Sequence, residues 1–505
     1  MNISLLANAK ILYQLYQFEE LIGYCADKKE MPELRLLEAR SHLALGNLDK
    51  AKKILKQYIF SGNEIIDSAA FYSLALIEFK MGRYGKTLSY LNQIKRNDSE
   101  IYHAKLLEAK THIKLKNTDF SRSILRNIID EDNHSINAFH LLGRIEESDK
   151  NYQESIYFFT KSCQEFGNAE SYFALARIQL ELNNLDLAYS LLLESSSIHE
   201  SSRIKSLSSE RRFGIRKSKL CHDLEQIDFI KRRRANLPSE LLSYKSKIEK
   251  ILELDRFKNE QMWSWIALNE YEKHSLKDHL GKSLYEEGIP SHIEATINPS
   301  VVRTHINEDF ISSVYVFDNF LSEDFIESLY EHLIMSTLWH DYKYENGYLG
   351  AYMDKGLASK PLLELSKEIS SFFSDKLGGV KLEHMWAFKY DSKLDGIGLH
   401  ADFAQFTLNL WITPSKYNDN PDTGGLLIYD YHSAPDDSFH NYNAKISPDL
   451  EKTIRSSKQL RVPYKENRAI FFDSSLYHET DQINFQEAYE ARRINLTFLF
   501  GNRND

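Results

Sequence analysis

The sequence predicts a multidomain α + β chain: an α-helical repeat solenoid at the front and a β-rich sandwich or barrel at the back. Two observations carry this. One small/large residue pattern recurs five times within residues 1–205. Short strand-like runs broken by Gly, Pro, Asn and Asp fill residues 301–505. A chain of 505 residues is also long for a single hydrophobic core, which favours two or three domains.

Residues 1–205 contain no proline except Pro32 and read as helices. The segments LALGNLDKA, FKMGRYGKT, KLKNTDFSR, SDKNYQES and LELNNLDLA align on one another. In each, a large residue is followed three positions later by a small one: Leu48/Ala51, Tyr84/Thr87, Phe120/Ser123, Tyr152/Ser155 and Leu185/Ala188. A second small residue lies nine positions before the large one, at Ala39, Ala75, Thr111, Gly143 and Ala176. Small residues let paired helices approach, and large ones fill the hollow between them. One pair cannot bury its apolar stripe alone, so pairs stack into a superhelix. The pattern resembles the tetratricopeptide repeat over about residues 30–195, with a degenerate pair, Phe18/Leu21, before it. Such arrays bind peptides or protein segments.

Residues 206–300 read as a helical connector with charge-rich stretches. The basic run Lys231 to Arg234 is expected to be a solvated helix face pairing with nearby acids. Cys221, His222 and Asp223 are consecutive, so on a helix they point apart and make a poor metal set. Gly288, Pro290 and Pro299 break the pattern, which places a domain boundary at 286–300. His292 and Glu294, in that stretch, read as a chance HxE pair.

From Tyr315 the period changes. VYVFDNFLSEDFIESLYEHLI reads as a strand, an N-cap at Ser322 and a helix. The runs GIGLHAD, FTLNLWIT, GGLLIYDY, QLRVPY, RAIFFD, SLYHET and RRINLTFLF follow as strands. In FTLNLWIT, Phe406, Leu408, Leu410 and Ile412 share one face, and Thr407, Asn409 and Trp411 share the other. An apolar face backed by a mixed polar and aromatic one suits a ligand-holding barrel.

Composition excludes several classes. Hydrophobic residues at 42% and charged residues at 27% describe an ordinary globular chain. A net charge of -10 argues against a nucleic-acid binder. Cys25, Cys163 and Cys221 form neither a CxxC pair nor a disulfide framework, which fits a reducing compartment. No run reaches the roughly 18 apolar residues of a membrane span, and the first residues lack a signal-peptide pattern. The expectation is a cytoplasmic protein with no membrane contact.

The chemistry rests on one short motif and its context. Of 18 histidines, only His400 has an aspartate two positions on, Asp402. About one such pair is expected from composition alone. Residues two apart on extended chain point the same way, and the pair can close on one ion if the chain turns there. Downstream, RAIFFDSSLYHET leads through a strand to a turn presenting His478, and RRINLTFLF closes the domain. Two histidines and one carboxylate form the facial triad of non-haem Fe(II) oxygenases. His432 and His440, in a Pro- and Asp-containing loop, read as surface residues.

The order HxD, distal His, then Arg in R-x-x-x-T resembles the Fe(II)/2-oxoglutarate-dependent oxygenases, the prolyl 4-hydroxylase-like group above all, over about residues 310–505. The resemblance implies a double-stranded β-helix, a jelly-roll or cupin relative. It implies His400, Asp402 and His478 as iron ligands and Arg493 as the partner of the far carboxylate of 2-oxoglutarate. It adds Thr497, on the same face as Arg493, and Tyr390, ten residues before His400, as co-substrate contacts, with Asn409 a further candidate. Arg492 faces the other way, and the sequence leaves the choice between the two arginines open. Arg493 follows His478 by 15 residues, a longer interval than prolyl hydroxylases usually show. The carboxylate ligand is present, unlike in the halogenase branch.

The implied reaction couples decarboxylation of 2-oxoglutarate, with O₂, to hydroxylation of a C–H bond. Three readings remain at this level. In the first, the oxygenase hydroxylates a protein or peptide side chain docked by the repeats. In the second, it acts on a small or carrier-bound metabolite while the repeats bind a partner or form a homodimer. In the third, the chain is a non-catalytic scaffold.

Overall fold

The structure is a computed structural model. It describes residues 2–14, 18–26, 28, 31–94, 101–132, 135–164, 167–209, 214–301, 303–304, 313–342, 348–391, 396–434, 442–443 and 446–503. It divides into two compact units, Met1–Ala174 with Ser209–Arg212, and Leu175–Ser208 with Phe213–Asp505.

Tetratricopeptide-like helical hairpins build the front of the chain. They are α1 (Asn2–Gln14) with α2 (Phe18–Cys25), α3 (Pro32–Ala44) with α4 (Leu48–Leu55), and α5 (Glu64–Lys80) with α6 (Tyr84–Leu91). Then come α7 (Ile101–Lys114) with α8 (Thr118–Glu131), α9 (Ile136–Ser148) with α10 (Tyr152–Gln164), and α11 (Ala169–Glu181) with α12 (Leu185–Ser209). Five of the turns are closed alike. A left-handed residue sits two positions before the second helix: Gly46, Gly82, Lys116, Lys150 and Asn183, with φ between 60° and 74°. The next N–H reaches back to the carbonyl five residues earlier, as in Asn47 to His42 (2.8 Å) and Asn151 to Glu146 (2.8 Å). This closure satisfies carbonyls that a helix end otherwise leaves unpaired.

That turn sets the register and corrects the third copy of the repeat. Its second helix starts at Thr118, not two residues later, so the small residue of the pair is Ser121 and its counterpart is Ala109. Ser121 is fully buried and donates to the Ala109 carbonyl (3.0 Å), whereas Phe120 is 53% exposed. Ser155 and Gly143 repeat the contact at 2.8 Å. A Cβ on Gly143 would lie 2.7 Å from the Phe159 ring, so no larger residue fits without movement. Thr111 is buried too, one half-turn away, bonding its own helix at the Leu107 carbonyl.

The compact units part between Ala174 and Leu175, ahead of the sequence boundary at 205. Within the second unit the last hairpin is tied down by polar contacts. Arg177 pairs with Glu383, His199 Nε2 lies 3.1 Å from Asp354 Oδ2, and Arg203 Nε donates to the Gly281 carbonyl (3.0 Å). The 206–300 stretch belongs to this unit as well. It holds β1 (Gly214–Arg216), α13 (Lys217–Arg233), α14 (Ser239–Leu252), α15 (Asp255–Lys258), β2 (Trp265–Ala267) and α16 (Glu270–Leu276). Gln226 of α13 donates to the carbonyls of Ile334 (3.2 Å) and Ser336 (3.0 Å). In the basic run, Arg233 and Arg234 pair with Glu331 and Glu287.

The β-rich part runs β3 (Arg303–Thr304), β4 (Val314–Phe317), α17 (Glu323–Met335), β5 (Leu349–Tyr352), α18 (Lys360–Phe372), α19 (Ser374–Leu377), β6 (Leu382–Tyr390), β7 (Ala404–Trp411), β8 (Leu426–His432), α20 (Pro448–Arg455), β9 (Gln459–Val462), β10 (Ala469–Asp473), β11 (Leu476–Thr480) and β12 (Arg493–Asn502). Ser322 is the N-cap of α17, though its side chain makes no capping bond. The strands form a seven-stranded antiparallel sheet, β3-β4-β10-β7-β12-β6-β5, and a three-stranded one, β11-β8-β9. The two sheets share one core. Val316, Trp411, Ile470 and Phe472 of the large sheet meet Leu426, Ile428, Val462 and Leu476 of the small one. The other face of the large sheet is covered by aromatic packing, with Phe373 stacked on Phe471 at 4.2 Å. GIGLHAD does not form a strand: the described part makes one isolated bridge, His400 to His478.

Candidate metal centre

The bridge builds the centre. His400 N–H donates to the His478 carbonyl (3.0 Å) and His478 N–H to the His400 carbonyl (2.8 Å), so both imidazoles leave the same rung. Asp402, two residues on, is anchored by its own N–H on the Ser474 carbonyl (3.0 Å). The chain therefore turns just after His400, which the HxD pair needs in order to close. His400 Nε2 lies 3.7 Å from Asp402 Oδ1, and His478 Nε2 lies 3.7 Å from Asp402 Oδ2. One donor atom from each residue falls within 4.8 Å of the others, the one such cluster among the described residues.

The surrounding bonds prepare these atoms as ligands. His400 Nδ1 meets the Gly398 carbonyl (2.8 Å) and His478 Nδ1 the Leu476 carbonyl (3.0 Å). A carbonyl accepts only from a protonated nitrogen, so each Nδ1 carries a hydrogen and each Nε2 is the ring nitrogen turned to the centre. Burial, with His400 nearby, pushes the His478 pKa down to about 4, which keeps that imidazole neutral. Thr407 Oγ1 donates to Asp402 Oδ2 (2.8 Å) and fixes the carboxylate. Two imidazoles and an oriented carboxylate fit a divalent first-row metal.

The same cavity has a second polar end. His400, Asp402, His478, Tyr390, Asn409, Arg493 and Thr497 all line it. Strand alternation explains the set. Arg493, Asn495 and Thr497 share one face of β12, and β12 lies between β7, which carries Asn409, and β6, which carries Tyr390. Arg493 is 2% exposed. Its Nε donates to the Gly424 carbonyl (2.6 Å), and its Nη1 approaches Asn495 Oδ1 (3.5 Å). Its guanidinium lies 4.8 Å from the Tyr390 ring and 5.6 Å from the Tyr464 ring. Among the described residues no carboxylate pairs with it. Asn409 Oδ1 accepts from Asn495 (3.0 Å) and Thr497 (2.9 Å), joining the three strands. Arg492 points to the opposite face and is engaged by Glu225 (2.8 Å) and Asp391 (3.1 Å).

Asn495 and Thr480 also line the cavity and escaped the sequence reading. Period-two spacing from Arg493 and from His478 points to both. His432 is exposed as expected, though it ends β8 rather than lying in a loop, and His440 lies outside the described residues. His222 bonds Asp223 at 2.9 Å in the interior, away from any metal cluster. The long interval between His478 and Arg493 is filled by Phe485, which joins the inter-sheet core, and by a short 3-10 turn whose Tyr489 packs on Phe229 of α13 (5.2 Å).

No protein-family model and no curated protein matches the chain. Solved structures resemble about a third of the chain. MamA is 13% identical, with 33% of this chain and 96% of that one covered at a TM-score of 0.28. PilW, a type IV pilus biogenesis factor, is 16% identical, with 39% and 92% covered at a TM-score of 0.34. YrrB, a TPR protein with an unusual peptide-binding site, is 14% identical, with 35% and 91% covered at a TM-score of 0.27. Likenesses this weak carry no argument about what this chain does. Among the described residues, no helix is long and apolar enough to cross a membrane.

Proposed function

We propose that the chain is an Fe(II)- and 2-oxoglutarate-dependent dioxygenase of the double-stranded β-helix kind, hydroxylating a protein or peptide side chain docked by its repeats. The observation that carries this is Arg493: a buried cation with only neutral partners among the described residues, opening on the same cavity as two histidines and an aspartate. A buried cation without a counter-charge costs stability unless an anion completes it. A guanidinium's fork suits a carboxylate, held bidentately.

His400, Asp402 and His478 would hold the iron. Arg493, with Tyr390, Thr497 and Asn409 around it, would hold the far carboxylate of 2-oxoglutarate. When bound, iron, 2-oxoglutarate and O₂ supply the oxidation, in which the keto acid leaves as succinate and CO₂ and one oxygen atom enters a C–H bond. The protein orients the ligands, neutralises the carboxylate and keeps the inner end of the cavity dry. An aromatic strip leads outward along β6 and its neighbours. Trp386, His384, Tyr352 and Phe403 are each partly exposed, and Trp386 lies within 6.3 Å of each of the other three rings. Trp386 also lines the cavity, and a partly exposed aromatic cluster beside it suits a docked side chain. A reducing cytoplasm agrees with three unpaired cysteines.

The test is anaerobic titration with Fe(II) and then 2-oxoglutarate, followed by visible absorption, and succinate formation once O₂ is admitted. The expected result is a charge-transfer band and uncoupled turnover, both lost in His400→Ala and Asp402→Ala. If the chain binds no Fe(II), the oxygenase reading fails and the scaffold reading stands.

A further inference from the structure

Arg493 is placed by its backbone, and the segment around it is gripped from behind. On its β6 side Arg493 is paired with Tyr390, whereas on the β7 side the last backbone bond runs from the Ile412 N–H to the Ile494 carbonyl (3.0 Å) and leaves the Arg492 carbonyl and the Ile494 N–H without a backbone partner from that strand. The side chain of Thr413 takes over. Its hydroxyl donates to the Arg492 carbonyl (2.8 Å) and accepts from the Ile494 N–H (2.9 Å), so one oxygen spans the two peptide groups flanking Arg493. Thr413 is fully buried, and its own carbonyl accepts from the Tyr464 hydroxyl (2.6 Å), whose ring lies 5.6 Å from the Arg493 guanidinium.

A second grip comes from Arg492. Its guanidinium spans Asp391, one residue after β6 ends at Tyr390, and Glu225 of α13. Arg492 therefore ties the segment carrying Arg493 to the one carrying Tyr390, and both to the connector helix.

We propose that Thr413 and the Glu225–Arg492–Asp391 bridge are positioning groups for the co-substrate arginine, and that α13 thereby sets the affinity for 2-oxoglutarate. Neither grip lines the cavity, and both act through the backbone of residues 492–494. This rests on the oxygenase reading above. A guanidinium holds a carboxylate by two bonds only if its direction is fixed, so a loosened segment loses affinity while the metal ligands, on other strands, keep theirs.

The test is calorimetric titration of the full chain, loaded with Mn(II), with 2-oxoglutarate. Thr413→Val keeps the shape and removes the hydroxyl. It is expected to raise the Kd for 2-oxoglutarate about tenfold, the order seen for supporting groups around ligand shells. The Kd for Mn(II) should stay unchanged, and Thr413→Ser should restore tight 2-oxoglutarate binding. Glu225→Ala removes a half-exposed partner without opening the core, and is expected to raise the same Kd about threefold, with Mn(II) affinity unchanged. If the unaltered protein binds 2-oxoglutarate and both variants bind it equally well, the positioning role is overturned and the oxygenase reading survives. If both affinities fall together, the grips are merely structural and the role is again overturned. If the unaltered protein binds no 2-oxoglutarate, both readings fall.

Discussion

The large sheet has two faces, and β6 and β12 set them side by side. Arg492 and Arg493 are neighbours, both buried, and face opposite ways. So do Lys389 and Tyr390. On the outer face Arg492 and Asp223 are answered by opposite charges, while Lys389 is pushed by burial towards its neutral form. Arg492 has two carboxylates, and Asp223 has Lys219 (2.6 Å), His222 (2.9 Å) and the Tyr244 hydroxyl (2.8 Å). Burial raises the Asp223 pKa, but Lys219 and His222 outweigh it and hold the carboxyl well below its usual range. Lys389 has the Tyr489 hydroxyl (2.9 Å) and the Trp339 ring (4.3 Å), and burial pushes its pKa far down. On the cavity face Arg493 has, among the described residues, only neutral partners: a carbonyl, an amide, aromatic rings and the Tyr390 hydroxyl. Burial is the same on both faces; pairing differs. A paired buried charge holds a fold together, whereas an unpaired one beside a cavity calls for a ligand of opposite sign.

Exchanging the losses breaks or confirms that contrast with the largest effects. Arg493→Met should raise the Kd for 2-oxoglutarate more than about a hundredfold, two charge-assisted bonds being lost, while the urea midpoint holds. Arg492→Met should act first on stability: it removes the cation that faces Asp391 (3.1 Å) and Glu225 (2.8 Å), and the second unit should lose about 3–5 kcal/mol, with 2-oxoglutarate affinity falling only a few-fold through the loosened segment. A drop in stability from the Arg493 change, without loss of 2-oxoglutarate binding, would make both arginines structural.

The outer face also carries a pH signature. Burial lowers the pKa of His222, His332 and His340, which stay neutral in the fold. In the unfolded chain they take up protons near pH 6.5, so folding costs more as pH drops below that value. Stability is complete above the unfolded range and is lost on acidification, by up to about 1.4 kcal/mol per group per pH unit. Urea unfolding should show a lower midpoint at about pH 5.5 than at about pH 7.5. His340→Gln should flatten part of that slope. A midpoint indifferent to pH would mean these groups are protonated in the fold and paired in some other way.

What could be read from the sequence follows from how local each constraint is. Alternation along one strand is local, so Thr407, Asn409 and Trp411 were separable from Phe406, Leu408 and Leu410 in advance. The HxD pair was visible, but its closure depends on the rung shared with His478, 78 residues away, and no local pattern reports that. Arg492 and Arg493 could be assigned to opposite faces, yet which face holds the cavity depends on Glu225 and Asp391, which come from other elements. The boundary at 205 was drawn from composition, which does not see the ties from Arg177, His199 and Arg203 to the rest of the second unit.

The smallest effect tests the same question, which neighbour faces inward, in the repeats. There the sequence pattern placed Phe120 and Ser123 in the packed pair, because Phe is the larger residue. The structure puts Ser121 inside and leaves Ser123 exposed, because Lys116 takes the left-handed turn position and fixes where α8 begins. Ser121→Leu should overpack the hairpin against Ala109 and cost about 1–3 kcal/mol in the first unit, read as an earlier step in urea unfolding. Ser123→Leu should stay within about 0.5 kcal/mol of the parent. Neither change touches Arg493 or the histidines, so 2-oxoglutarate binding should be the same in both. Equal costs at the two serines would return the third copy to the register that its large residue suggests.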